Sequence, residues 1–385
     1  MSRAPARRGQ GQPVGAVWVT NEASVTPHGG GGIRSQRLVA ALAAVMPVEV
    51  IALGGELDGP AYCRVTGAVD VRSYAPAVRS RAATARLALT HRWPLSAVRL
   101  FEERAYDDVR TAMATARLLV VEHTFLLPYR PRGVRTVLSL QNVDSDLAAS
   151  VAAASPPENR WNVAMLRRAE RRSSRDPEIL VVAVSEVDAA KVGADLVVAN
   201  GTDVPRRAPG LPETGTVLVV GSLGYAPNAA AVRWWAAEVW PLLTSPVALT
   251  VVGRGAGAVR DLAGHPAVQL IGEVDDLGGF LAAAQVAVAP LLSGSGTRLK
   301  LLEAMAWGRP VVSTAKGAEG LAVQDGREVL LADTAAEFAA AVDRLRADAA
   351  LAARLAANGR RFAQDFDWVP LGERFAGVAA AHLVG

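Results

Sequence analysis

The chain has 385 residues, enough for two domains at roughly 100–200 residues each. Hydrophobic residues make up 51% and charged residues 20%, which supplies a buried core and excludes disorder over most of the length. Lys and Arg number 41 against 37 Asp and Glu, and Arg3, Arg7 and Arg8 stand in the opening MSRAPARRGQGQP, so the body is near neutral. A nucleic-acid partner would call for a larger, clustered excess of cations. The single cysteine, Cys63, excludes an intramolecular disulfide framework and a cysteine-based zinc cluster. The longest apolar stretch, Leu277 to Leu292, contains Gln285 and Pro290 and is too short to span a bilayer. The run VGAVWVT after the basic start is too short for a signal-peptide core. The expectation is a soluble, unexported, cytoplasmic protein.

A basic tail, residues 1–12, precedes the first strand. Short β-rich apolar runs then alternate with Ala/Leu/Arg segments of helical period. In the first half the runs are Val14–Thr20, Val48–Leu53, Val69–Tyr74, Leu118–Glu122, Arg135–Leu140, Ile179–Val184 and Leu196–Ala199. In the second half they are Thr216–Ser222, Ala248–Gly253, Val268–Ile271, Val286–Pro290, Pro310–Ser313 and Val329–Leu331. Runs that are apolar nearly throughout suit strands buried on both faces, as parallel sheets require, and the helical segments suit crossover connections. The pattern predicts an α/β protein of two doubly wound, Rossmann-like domains. The seam is expected in Asn200–Gly215, the most Pro/Gly-rich internal stretch, with a linker over 204–215 joining residues 13–203 to residues 216–370. Ligands in such sheets bind beyond the carboxyl ends of the strands. Two halves facing each other would form a cleft lined by those loops.

Candidate residues therefore stand just after strands. His28-Gly29-Gly30-Gly31-Gly32-Ile33-Arg34 follows the first strand; four consecutive glycines are costly in entropy, so a loop that approaches a ligand by its backbone competes with a plain flexible loop. Its spacing is not that of a dinucleotide fingerprint. Glu122-His123 ends another strand, where a histidine faces the expected ligand side or is merely structural. Gln141-Asn142-Val143-Asp144 follows the next. Arg167, Arg168, Arg171, Arg172 and Arg175 form a basic helical patch, either a solvated face or a docking site for an anionic membrane or an acidic acceptor. Ser185 is placed to cap a helix.

In the second half, Gly221-Ser222-Leu223-Gly224-Tyr225-Ala226-Pro227-Asn228 follows the first strand, and Val251 to Gly255 makes a similar strand and turn. Gly272-Glu273-Val274-Asp275-Asp276-Leu277 leads to a helix for which Asp275 or Asp276 is a ready N-cap. The densest motif, VAVAPLLSGSGTRLKLLEAMAWGRPVVSTAKGAEGL over residues 286–321, reads strand, glycine loop, helix, strand. Ser293-Gly294-Ser295-Gly296-Thr297 opens that helix, where free N–H groups and the helix dipole favour phosphate. Arg298 and Lys300 add cations in the first turn, a placement unfavourable in an isolated helix and reasonable around an anion. Glu303, three residues after Lys300 and on the same face, is placed to accept hydrogen bonds from a ribose diol. The bland alternative is a surface Lys–Glu pair worth about 0.5 kcal/mol or less.

Thr297–Leu321 resembles the nucleotide-sugar site of family 4 glycosyltransferases, which have the GT-B fold, and is most similar to the subgroup whose phosphate loop reads GSGTR-K-EAMA. That family carries two glutamates here; Glu303 matches the second, and Ser295 stands in place of the first, whose segment contacts the donor sugar. The resemblance implies that Arg298 and Lys300 hold the diphosphate and Glu303 the ribose. It implies donor contacts at Gly294, Ser295, Gly296 and Thr297, and also at Gly224 and Asn228 in the G-S-x-x-x-x-P-N segment. Backbone near Val274 would read the base. Gly30, Gly31 and Gly32 resemble the family's N-terminal glycine loop, and Gln141 replaces a histidine in an H-N-x-x segment near the acceptor. His123 resembles the cleft histidine that bonds a sugar hydroxyl or the leaving phosphate. Ser185 and Asn200 to Asp203 match architectural A-V-S-E and P-N-G-x-D elements, and a last helix over 371–385 would pack back on the first domain. The implied activity is retaining transfer of a hexose from a nucleoside diphosphate sugar to a hydroxyl acceptor, with no cofactor and no required metal. The near-neutral body argues against a nucleic-acid partner, and peripheral membrane association through the basic patch stands as the alternative to a solvated face. A nucleotide-sugar epimerase or hydrolase, and a non-catalytic nucleotide-sugar-binding protein, are the alternatives.

Overall fold

The computed structural model describes residues 14–25, 30–152, 157–274, 276–293 and 299–383. The chain divides into two units, one running to Ala199 and taken up again from Val369, the other spanning Asn200–Trp368.

The first unit contains strands β1 (Ala16–Thr20), β2 (Val48–Leu53), β3 (Asp70–Tyr74), β4 (Leu118–Glu122), β5 (Thr136–Ser139), β6 (Ile179–Ala183) and β7 (Leu196–Val197). They lie in the order β3-β2-β1-β4-β5-β6-β7. All its pairings are parallel, with Ala16 of the central strand level with Val48 on one side and Leu118 on the other. β1, β2, β4 and β5 are buried at every position, which is why their sequences are apolar almost without break. Trp18 of β1 is fully buried and its ring centroid lies 5.7 Å from that of Phe375 on the last helix, Trp368–Ala381. That helix packs so closely on helix Gly30–Ala43 that a Cβ on Gly372 would lie 2.7 Å from the Ala41 methyl. Its end is tied by Arg135 donating to the His382 carbonyl at 2.8 Å.

The second unit contains β8 (Thr216–Val220), β9 (Leu249–Val252), β10 (Val268–Gly272), β11 (Ala284–Ala289), β12 (Val311–Ser313) and β13 (Leu330–Leu331), in the order β10-β9-β8-β11-β12-β13. These pairings too are all parallel. One face of the sheet is covered by a core around Trp235, Phe338 and Leu355, the other by one around Leu302, Met305 and Ala363. Every apolar run read as a strand forms one, so the doubly wound α/β expectation holds.

Three expectations are corrected. Gly30, Gly31 and Gly32 are not loop residues: they form the first turn of helix Gly30–Ala43. Crowding accounts for at least one of them, since a Cβ on Gly31 would stand 2.4 Å from Gln141 Oε1 and 3.0 Å from Glu22 Oε2. The segment 204–215 is not a free linker but is strapped to the second unit. Buried Arg309 donates to the carbonyls of Pro209 and Gly210 as well as to those of Ala282 and Ala284, and Arg360 donates to Pro205. Helix Pro157–Ser173 ends before Arg175, which leaves that residue out of the helical basic patch. Ser185 does cap helix Glu186–Val192, accepting from the Asp188 N–H at 3.1 Å. Among the described residues no helix is long and apolar enough to cross a membrane.

Candidate active site

In the second unit the connections reverse direction between β8 and β11, the switch point at which open α/β sheets bind ligands. The chain leaves β8 through Gly221, whose φ of 152° is closed to most side chains. A Cβ there would lie 2.8 Å from Asn228 Nδ2 and 3.2 Å from Lys300 Nζ. The turn after β9 locks against this one: a Cβ on Gly253 would come within 2.1 Å of the Gly221 carbonyl oxygen. Leu223 N–H donates to the Arg254 carbonyl at 2.8 Å, and Gly253 N–H to that of Gly272 at 2.7 Å, so three successive strand ends are laced through backbone.

Asn228 joins this turn to helix Leu299–Ala306. Its Nδ2 donates to the Ser222 carbonyl at 2.8 Å, and its Oδ1 accepts from Lys300 Nζ at 2.5 Å. The Lys300 ammonium is thereby brought to the glycine turn. Glu303 lies one turn further along. Burial, reinforced by the Asp203 carboxylate, pushes its pKa up to about 7, with Lys300 pulling the other way. Gly224 is exposed in the turn, and Val274 packs against the core beside Leu277. Asp276 accepts from Gly278 N–H at 2.8 Å at the start of helix Gly278–Ala283. Gly294, Ser295, Gly296, Thr297 and Arg298, like His28, Gly29 and Asp275, lie outside the described residues.

The first unit has its own cluster at the ends of β1 and β4. His123 stands at φ 71°, a left-handed conformation that costs a non-glycine residue on the order of 1 kcal/mol or more. Asp144 holds it there: Oδ1 pairs with His123 Nδ1 at 2.9 Å and Oδ2 accepts from Thr124 N–H at 2.6 Å. With Asp144 ionised, Nδ1 carries the donated proton, which leaves Nε2 as the working nitrogen, 3.9 Å from Glu22 Oε1. Burial alone would lower the His123 pKa; the carboxylates of Asp144, Glu122 and Glu22 overcome it and hold the pKa above the ordinary value.

Glu122 is wholly buried, and burial pushes its pKa up to about 7 against the opposing hydrogen bond from the Thr20 hydroxyl. Arg34, also wholly buried, donates to the carbonyls of Val198 at 2.7 Å and Ala199 at 3.1 Å. Its desolvation lowers the pKa to about 10, with Glu122 opposing. Gln141 Nε2 donates to the Gly31 carbonyl at 3.3 Å.

The structure thus brings Gly31, Gln141 and His123 together in one unit and Gly221, Asn228, Lys300 and Glu303 together in the other. It adds Glu22, Thr20, Arg34, Asp144 and Asp203, to which sequence reading assigned no role at the site. Glu22 had a legible signal, a carboxylate just past a strand at the switch point. Asp144 had only its place in the Q-N-V-D segment.

Two Rossmann-like domains with parallel sheets in one chain define the GT-B class of fold. Residues 214–348, most of the second unit, match the family model described as Glycosyl transferases group 1. Among solved structures, sucrose-phosphate synthase from Thermosynechococcus elongatus is similar over 96% of this chain and 98% of its own, with a TM-score of 0.65 and 16% identity. HepE from Anabaena, solved in complex with UDP and glucose, gives 0.66 over 96% and 100%, at 17% identity. WaaG, a glycosyltransferase involved in lipopolysaccharide biosynthesis, gives 0.65 over 94% and 99%, also at 17% identity. At such identities the likeness is one of fold. No curated protein matches the chain in sequence.

Proposed function

We propose that the chain is a retaining glycosyltransferase that moves a hexose from a nucleoside diphosphate sugar to a hydroxyl acceptor. The observation that carries this reading is the convergence of the Gly221 turn, Asn228 and Lys300 at the end of β8, with Glu303 one turn behind, all inside the stretch that matches the family model. A diphosphate fits beside the ammonium and the turn, and a ribose diol fits the Glu303 carboxylate.

In the proposed reaction the bond between the anomeric carbon and the diphosphate oxygen breaks. A bond to the acceptor oxygen forms on the same face, and the acceptor proton passes to the departing phosphate. The products are a glycoside and a nucleoside diphosphate. Lys300, with Arg298 and the glycine loop before it, meets the negative charge that grows on the leaving group, and such fixed electrostatics is the largest single contribution in many enzymes. No enzyme nucleophile and no metal is assigned a role. In the first unit, with Asp144 fixing the proton on Nδ1, His123 meets a sugar hydroxyl at Nε2, accepting from it as the neutral ring and donating to it as the imidazolium.

Nucleotide release tests the proposal. The protein is incubated with UDP-, GDP-, dTDP- and ADP-sugars, with and without a panel of hydroxyl acceptors. Release that needs both donor and acceptor is expected, with UDP the first base to try because HepE was solved with it. Steady release from donor alone would overturn transfer in favour of hydrolysis, and donor binding without turnover on any acceptor would leave a binding protein.

A further inference from the structure

The first unit holds a cavity of about 530 Å³ that the proposed glycosyl transfer does not use. It is lined by the turn His91–Pro94, by the short helix Thr124–Tyr129 and by helix Pro157–Ser173. Its volume falls in the range of small-molecule sites, roughly 300–1,000 Å³. Five arginines line it, Arg92, Arg130, Arg132, Arg168 and Arg172, against one carboxylate, Asp176. Arg130 is already engaged, donating to Asp176 at 2.7 Å and to Glu178 at 2.6 Å, which also neutralises that carboxylate. Among the described residues no carboxylate pairs with the other four arginines. Arg168 and Arg172 are moreover one helical turn apart, a spacing at which like charges repel.

The wall is firm. Arg92 closes helix Arg81–His91 in a left-handed conformation, φ 55°. Next to it Trp93 stacks with His91 at 4.6 Å and packs on Phe101 at 4.9 Å, while its carbonyl accepts from Trp161 Nε1 at 3.3 Å. Thr124 also lines the cavity, and its buried hydroxyl has no hydrogen-bond partner.

We propose that this cavity binds a phosphorylated ligand, its phosphate groups taken by Arg92, Arg132, Arg168 and Arg172 and its sugar or apolar part laid against the His91–Trp93 stack. Guanidinium groups donate paired N–H bonds that match phosphate oxygens. A single carboxylate would answer one of the four charges; a diphosphate or several phosphate groups answer most of them. The site is separate from the nucleotide site assigned to the second unit and does not depend on that assignment.

The test uses the full chain. Calorimetry with inorganic tripolyphosphate reports a soluble phosphate compound. Sedimentation with phosphatidylcholine vesicles, with and without phosphatidic acid, reports a lipid headgroup. Binding is expected in at least one arm. Arg168→Ala/Arg172→Ala is expected to weaken it by about tenfold or more, given the strength of hydrogen bonds to charged groups. Arg167→Ala/Arg171→Ala makes the same charge change on the same helix but outside the cavity lining, and is expected to retain binding. Lys300→Ala should also retain it, which separates this site from any tripolyphosphate held in the second unit. No binding in either arm, or equal loss in the two arginine pairs, overturns the proposal. Thermal melts check the fold of each variant, and Arg132→Ala, on a turn, gives an independent reading of the same cavity.

Discussion

The two candidate clusters are built on opposite plans. In the first unit Thr20, Arg34, Glu122, His123 and Asp144 are all buried, and their charges answer one another at close range. In the second unit the chemistry stands on a glycine turn, with the Lys300 ammonium donating to the Asn228 amide oxygen beside it and Glu303 buried one turn behind. A buried network fixes the aim and protonation of one ring; an open turn leaves backbone and charge for a ligand to use. The first therefore fits a positioning role and the second a binding role.

Three experiments break or sharpen that contrast. The largest effect is expected at Lys300. Lys300→Ala should lower turnover by about 10²–10³, the usual loss when one donor to a developing anion is removed. The melting temperature should be nearly unchanged, because the side chain serves the turn rather than the core; steady-state nucleotide release and a melt read both. Unaltered turnover in the folded variant would remove the second unit's claim to the diphosphate.

Next comes Asp144→Asn, which keeps the shape and removes the charge. Losing that carboxylate should lower the pKa of His123, since carboxylates are what raise it above the ordinary value. Transfer should fall by about 10–100-fold, the scale of one hydrogen bond to a charged group. Imidazole titration by NMR beside the pH–rate profile is the check, and a rate loss without a change in the His123 titration would make Asp144 structural only.

The smallest effect is a stability slope. The folded state holds the Glu122 proton up to about pH 7, whereas the unfolded carboxyl releases it near its ordinary value of 4.5. Glu122 therefore contributes stability that is present below about pH 4.5 and is lost as pH rises through 7. Glu122→Gln should flatten this slope, for a relative gain of about 1–3 kcal/mol at the alkaline end. Denaturant melts from pH 5 to pH 8 test it, and parallel curves for the two proteins would show that Glu122 is not the titrating group.

The same contrast governs how much could be read in advance. Strands such as β2 and β4 were legible to the residue because parallel strands covered on both faces are apolar throughout. The second site was legible because Lys300 and Glu303 share one short helix, and Gly221 and Asn228 one short segment from the end of β8 to the start of helix Ala226–Trp234. The first was legible only at His123, Gln141 and Gly31. Its other members come from three separate places, Thr20 and Glu22 from the end of β1, Arg34 from the helix after it and Asp144 from a helix start after β5, and the sheet brings the three within reach of one another. The glycines at 30–32 looked like loop because glycine is a poor helix former. They nevertheless open the helix, and at Gly31 the space for a side chain is taken by Gln141 and Glu22, a contact local propensity does not contain. Nor did a Pro/Gly-rich composition over 204–215 reveal that Arg309, distant in sequence, gathers its carbonyls.

The interlocked turns after β8 and β9 carry a consequence for sequence variation. Gly253 bears no side chain and touches no charged group, yet its backbone is pressed against the Gly221 carbonyl. Any larger residue at 253 would push that carbonyl and, through Asn228, redirect the ammonium of Lys300. A saturation library screened for catalysis should therefore find position 253 as intolerant as the lysine itself, although nothing in its own chemistry would mark it.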